Sequence, residues 1–285
     1  MSVPSGVPTD DESAYYLVDG DRVVPTVLTE SSWDRTTQQG PPVCGLLGWA
    51  TTGIPTLTPM QTVRLTMDLW RPVPRRPLRV ERAVRREGKR MQVVDVGLFD
   101  GETEVTHATA LRVRVAEPGW PEVEADPARP PVASPPVPDA VAAGTVVTHP
   151  MGDPTLGPGE VQPGFLRSMV GVRVGGDTGA GDPVVLWARM AQPLVAGEPT
   201  APVALAAWAA DFASGLASTL DPRVWTYLNP DVNLHLLREP VGEWVAVSGL
   251  TWAGAHGIGH GRASLHDLEG LIGSATAGQL VDRRP

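Results

Sequence analysis

A carboxylate stands in the middle of an apolar stretch. Asp211 lies in LAAWAADFASGLASTL, residues 205–220, among Ala207, Trp208, Ala210, Phe212, Ala213 and Leu216. A charge removed from water is costly unless it is paired or chemically employed. Burial raises a carboxyl pKa towards the working range, where it can accept a proton from water. The alternative role is structural, a helix-borne hydrogen-bond acceptor. Trp208 and Phe212 on the same stretch are core residues or walls of a pocket.

Other reactive residue types form weaker patterns. His256 and His260 in GAHGIGHG are four apart, but their glycine spacing predicts a turn between strands, not a helix face, and no Cys or carboxylate cluster completes a metal set. We expect no metal and no cofactor. Gly257, Gly259 and Gly261 lack the order of a phosphate loop. No G-x-S-x-G nucleophile motif occurs. Cys44 lies in an apolar segment without a neighbouring His and reads as a small buried side chain. Asn229 precedes Pro230 and suits a turn, whereas Asp231 is expected to cap or to pair with Arg238.

The charge balance is uneven. Net charge is −9, yet residues 71–90 hold nine basic residues against Glu81 and Glu87, leaving −16 for the remainder. An acidic protein is a poor nucleic-acid partner. The basic run is the solvated face of two strands or a patch for a small anion, for which arginine is well suited. The single Cys44 cannot form an internal disulfide, which implies a reduced, cytoplasmic setting. The acidic start MSVPSGVPTDDES is not a signal peptide, and no apolar run reaches the ~20 residues of a membrane span.

The elements that must position these residues come twice. The proline-dense segment 117–140 lacks periodicity and reads as a linker. It divides the chain into residues 1–115, a linker over 116–145, and residues 146–285. The halves repeat at an offset of 167: Leu69 falls on Leu236, Arg71 on Arg238, Leu98 on Leu265, Asp100 on Asp267, and Ala108-Thr109-Ala110 on Ala275-Thr276-Ala277. Each half offers an apolar helix, GPPVCGLLGWATT or APVALAAWAADFASGLASTL, followed by alternating strands such as VRLTMDLW and a hairpin through DGE. FLRSMVGVRV and PVVLWARM add two strands around the turn GGDTGAGD. The layout is α+β, with an antiparallel sheet wrapped around an apolar helix in each half. The same offset sets Asp211 against Cys44 and Asn229 against Thr62, so only the second copy carries the carboxylate.

Several stretches carry a resemblance: SSWDRTTQQGPPVCGLL, then Pro-Val-Pro with Arg-x-Gly-Lys in residues 69–110, then AADFASGL, NPDVNLHLLREPVGEW and LHDLEGLIGSATAGQ. Over about residues 26–114 and 163–283 the chain resembles the type II acyl-CoA thioesterases, which are double-hotdog proteins. The resemblance implies a tandem hotdog with an acyl-CoA substrate. It implies a water oriented by a helix Asp, a hydroxyl or amide residue and a strand Gln. Asp211 and Asn229 match the first two. The Gln position falls on Gly278, with Gln279 one residue away, so a bulge is needed to turn Gln279 to the site. Backbone N–H groups near Ala204 to Ala207, or around Gly40, would hold the oxyanion. Arg85, Arg86, Lys89 and Arg90 are the candidates for the CoA phosphates. A hydratase of the same fold would need His where Leu216 stands, and an acyl-binding protein without catalysis is the remaining alternative. Two hotdogs in one chain mimic a hotdog dimer, so both a monomer and a larger homo-oligomer are open.

Overall fold

The computed structural model describes residues 11–115, 133–144, 160–174 and 183–284. The turn GGDTGAGD at 175–182 and most of the proline-rich segment lie outside them. The first half begins with strands β1 (Tyr16–Asp19) and β2 (Arg22–Pro25), then helix α1 (Gly40–Ala50), β3 (Met60–Asp68), β4 (Leu78–Arg86), β5 (Met91–Asp100) and β6 (Thr103–Arg114). Short helices α2 (Asp139–Ala142) and α3 (Gly164–Ser168) precede β7 (Met169–Val174) and β8 (Val184–Met190). The second half continues through α4 (Pro202–Ala210), α5 (Phe212–Gly215), β9 (Trp225–Leu228), β10 (Asp231–Leu236), β11 (Val245–Ala253), β12 (Ile258–Asp267) and β13 (Gly270–Arg283).

The offset of 167 holds in the strands. It carries β4 onto β11 and β5 onto β12 at both ends, and the start of β6 onto that of β13. The two half-sheets join through the antiparallel pair β3–β10, giving one sheet ordered β1-β2-β4-β5-β6-β3-β10-β13-β12-β11-β8-β7, with β9 on β13. At the junction Thr66 pairs with Asn233, its own counterpart under the offset, so the pseudo-twofold passes through that pair. A bulge recurs as well. The β5–β6 ladder shifts at Leu98/Phe99 and the β12–β13 ladder at Leu265/His266, the counterpart position. The N-terminal hairpin β1–β2 mirrors β7–β8: β2 flanks β4 as β8 flanks β11.

The two helices lie inside the sheet and against each other. Helix α4 is buried from Val203 to Ala210, and all of α1 except Gly40 and Trp49 is buried. A helix apolar on every side needs such cover. Their contact is antiparallel and made by small residues. A Cβ on Gly48 would sit 3.0 Å from the Ala204 Cα and the Ala207 Cβ, and one on Gly45 would sit 3.3 Å from the Trp208 Cβ. The N-terminus of α1 therefore meets the C-terminus of α4.

Two expectations need correction. The sequence predicts one helix over 201–220, but the helix breaks at Asp211, where the Ser214 hydroxyl donates to the Asp211 carbonyl at 3.0 Å. Such back-bonding bends helices. The segment ending the proline-rich stretch is also more than a linker. Helix α2 seats Val141 on the outer face of the sheet with Val170, Val185, Trp187, Trp244 and Ala246, and Trp187 Nε1 donates to the Pro136 carbonyl at 3.0 Å. No helix is long and apolar enough among the described residues to cross a membrane.

Candidate active site

The helix break places Asp211 where α4 ends and α1 begins. Its side chain is 8 % exposed. Oδ1 accepts from Asn229 Nδ2 at 2.9 Å and lies 3.9 Å from the Cys44 sulfur. A Cβ on Gly40 would overlap Oδ2, so that oxygen faces the first turn of α1. Burial pushes the Asp211 carboxyl up to about 6, against the lowering effect of the bonds from Asn229 and Cys44. Burial, reinforced by the Asp211 charge, pushes the Cys44 thiol well above its usual range.

Asn229 reaches Asp211 because the strand is interrupted. Strand β9 pairs with β13 up to Leu228–Leu280, and β10 resumes with Asn233–Thr276. Pro230 has no N–H to continue the ladder. Asp231 fills the gap: Oδ1 accepts the Gly278 N–H at 2.9 Å and Oδ2 accepts from Asn233 at 2.6 Å. The expected pairing of Asp231 with Arg238 is thus replaced, and Arg238 forms a two-pronged ion pair with buried Asp267, 2.6 Å on each prong. A Cβ at 278 would come within 2.7 Å of Asp231 Oδ1, which explains glycine where the family resemblance expects Gln. Asn229 Oδ1 is buried and has no partner among the described residues.

Gln279 does point inwards. The bulge before it shifts the phase of β13, so Ala275, Ala277, Gln279 and Val281 are the buried residues. Its amide donates to the Ser214 carbonyl at 2.7 Å, one turn beyond Asp211, and it does not join the Asp211–Asn229 pair. Its counterpart under the offset, Arg112, is likewise buried and donates to Gln92 at 2.9 Å.

The first turn of α1 is poor in N–H groups. Residues 41 and 42 are prolines, and the Gln39 N–H is taken by the Thr29 carbonyl at 2.8 Å. The Gly40 N–H has no partner among the described residues, and it stands at the positive end of an 11-residue helix. Of the two places expected to offer N–H groups, the one around Gly40 borders Asp211 and the cavity. Ala204 to Ala207 lie far along α4 from Asp211, where the helix carbonyls point towards the site instead of the amides. The loop before Gly40 is pinned by Tyr16, whose hydroxyl donates to Gln38 Oε1 at 2.7 Å, and by Gln38 Nε2 to the Pro74 carbonyl at 2.8 Å.

These residues open onto a cavity of about 1120 Å³ lined by Gly40, Asp211 and Asn229. Val43, Leu69, Phe165, Phe212 and Leu216 give it apolar wall. Arg71, Arg173, Arg223 and Arg284 also line it. Arg284 lies over the Trp33 ring at 5.1 Å, and Trp33 meets Tyr227 edge to face at 5.3 Å. Arg85, Arg86, Lys89 and Arg90 do not line this cavity. They end β4 and turn into β5, where Arg85 is tied to Asp95 at 2.6 Å. The basic run was the louder signal in sequence, because the four cavity arginines are scattered and only the fold assembles them. Among the described residues no three His, Cys, Asp or Glu converge as for a metal; His260 stacks on Trp252.

Comparison with known proteins agrees with this architecture. The model for the acyl-CoA thioesterase N-terminal domain matches residues 29–113, and that for the acyl-CoA thioesterase C-terminal domain matches residues 131–279. A hot-dog-fold protein of unknown function from Alicyclobacillus acidocaldarius superposes with a TM-score of 0.67 at 19 % identity, covering 97 % of each chain. A tesB protein from Mycobacterium avium subspecies paratuberculosis gives 0.64 at 14 % identity, covering 94 % of this chain and 95 % of that one. The acyl-CoA thioesterase II TesB2 from Mycobacterium marinum gives 0.60 at 14 % identity, covering 94 % of both. No curated protein matches the sequence. With both domain models matched in order along one tandem hotdog, the chain belongs to the acyl-CoA thioesterase family.

Proposed function

We propose that the protein hydrolyses acyl-CoA thioesters to a free acid and coenzyme A, with Asp211 as the base that activates water. The observation that carries this reading is the state of the Asp211 carboxylate. One oxygen is held by Asn229 at 2.9 Å, while the other lies against Gly40, whose N–H is free, at the wall of a large cavity. A water between Asp211 Oδ2 and the unpartnered Asn229 Oδ1 gives a proton to the carboxylate as it attacks the thioester carbon. The charge forming on the carbonyl oxygen is met by the Gly40 N–H and the dipole of α1. Collapse of the tetrahedral species expels the CoA thiolate, and protonated Asp211 returns the proton to it. A base titrating near pH 6 is ionised at neutral pH yet still basic enough to take the proton.

The apolar wall around Phe165, Phe212 and Leu216 suits an acyl chain. Arg71, Arg173, Arg223 and Arg284 on the same cavity suit the phosphates of CoA, in place of Arg85, Arg86, Lys89 and Arg90. A single cysteine, which allows no internal disulfide, is in keeping with a reaction in the reducing cytoplasm. A second reading, an acyl-CoA-binding protein without turnover, draws on Gln279 being spent on the Ser214 carbonyl. The test is thiol release from acyl-CoAs of increasing length. Turnover with any of them supports hydrolysis; tight binding of all without thiol release supports the binder.

A further inference from the structure

Asp211 Oδ1 has two neighbours that can donate to it. Asn229 comes from the strand side at 2.9 Å, and Cys44 comes from α1 with its sulfur at 3.9 Å. Cys44 is fully buried, one helical turn past Gly40, within the apolar contact of α1 and α4. We infer that Cys44 is a positioning residue: its S–H and the Asn229 amide hold Oδ1 from opposite sides and leave Oδ2 turned to Gly40 and the cavity. The inference rests on Asp211 being the base. It assigns Cys44 no contact with substrate and no covalent step.

Three observations support it. Oδ2 accepts no hydrogen bond among the described residues, although Oδ1 is approached from two elements. The buried Asn229 Oδ1, beside the same carboxylate and lining the same cavity, also has no partner among the described residues. A carboxylate with one oxygen anchored and one free is fixed in rotation about its terminal bond, which is the freedom an otherwise apolar pocket would leave it. Finally, Gln279, which the family resemblance assigns to the third place, is bound to Ser214 instead. The second contact on the Asp211 carboxylate in this chain, beside Asn229, is the thiol. The titratable groups facing Asp211 are Cys44 from α1 and, behind it, Tyr16 from β1; the charged groups on the shared cavity are Asp34, Arg71, Arg173, Asp221, Arg223 and Arg284.

The thiol is a weak donor, so its removal has a modest effect with a recognisable sign. Losing a donor to the carboxylate destabilises the anion and raises its pKa. The test compares Cys44→Ala, Cys44→Val and wild type by kcat and KM across pH, with thermal unfolding alongside. Alanine removes the sulfur, and valine removes the donor while keeping the space filled. The expected result is an acid limb displaced upward by about half a unit and a kcat lowered about three- to tenfold, with KM within twofold. A folded variant of either kind whose pH profile superimposes on the wild type overturns the proposal. If one variant does not fold, the other decides. Asp211→Asn in the same series separates this proposal from the reading beneath it. An inactive Asp211→Asn beside an unshifted cysteine variant sinks only the role of Cys44. An active Asp211→Asn sinks both.

Discussion

Substituting Gly40 by alanine is the most searching perturbation of the proposed geometry. The added Cβ would overlap Asp211 Oδ2 and lie 2.7 Å from Oδ1 and 2.8 Å from Cγ. Carbon atoms in contact sit at about 3.5–4.0 Å, so the carboxylate or the first turn of α1 must move by roughly 0.7–1 Å. Nothing there yields cheaply. The carboxylate is pinned by Asn229, and the turn carries two prolines and the Gln39–Thr29 bond. Overpacking of this kind costs about 1–3 kcal/mol, against which alanine returns about 0.5–1 kcal/mol in helix propensity. At roughly 2–4 °C per kcal/mol for a chain this size, Tm should fall by a few degrees. Activity should fall much further, because a displacement near 1 Å at a reacting group costs about a hundredfold. Steady-state thiol release and a thermal melt on Gly40→Ala read both numbers. A variant with wild-type kcat and wild-type Tm would show that Gly40 and Asp211 do not meet, and the site as described would be wrong.

Other predictions concern charge. The Asp211 carboxyl is raised in the folded state, so the folded protein binds the extra proton, and stability falls as pH rises from about 4 through 6. Asp211→Asn should therefore stabilise the fold at pH 8, by on the order of 3 kcal/mol, and should make no such difference at pH 4; equal shifts at both pH values in denaturant titrations would contradict the burial account. Replacing Arg71 or Arg284 by alanine should raise KM for an acyl-CoA by roughly three- to tenfold with kcat unchanged, and should leave KM for the matching N-acetylcysteamine thioester alone. Asp267→Ala strands Arg238 without its two-pronged partner and should cost about 3 kcal/mol in stability, visible in chemical unfolding, with the pH profile of turnover unmoved.

Much of the fold is legible in the chain itself, because the internal repeat is a constraint as strong as a motif. The offset read from Leu69/Leu236 and Asp100/Asp267 carries β4 and β5 onto β11 and β12. Asp211 stands out by chemistry, as the one charge in an apolar run, and Asn229 by its place before the next strand. What stays hidden has physical reasons. Strands β1 and β2 are four residues each, too short for alternation to register. The break at Asp211 leaves no trace in a run whose residues are apolar on every side. The bulge that turns Gln279 inwards depends on pairing with β12, and its attachment to Ser214 depends on where α5 lies. The cavity arginines come from residues 71, 173, 223 and 284, on different parts of the chain, whereas the dense run at 85–90 is the end of an exposed strand and the turn after it.

The central claim is that Asp211 activates water for thioester hydrolysis, and one comparison tests it most directly. Thiol release is measured from acetyl-CoA through palmitoyl-CoA with wild type and Asp211→Asn side by side. Asparagine keeps the shape and the hydrogen bonding but cannot accept the proton. The account predicts turnover by the wild type, and a loss of several orders of magnitude in the variant while it still binds acyl-CoA. A variant that turns over at the wild-type rate, or a folded wild type that releases no thiol from any acyl-CoA, would contradict it.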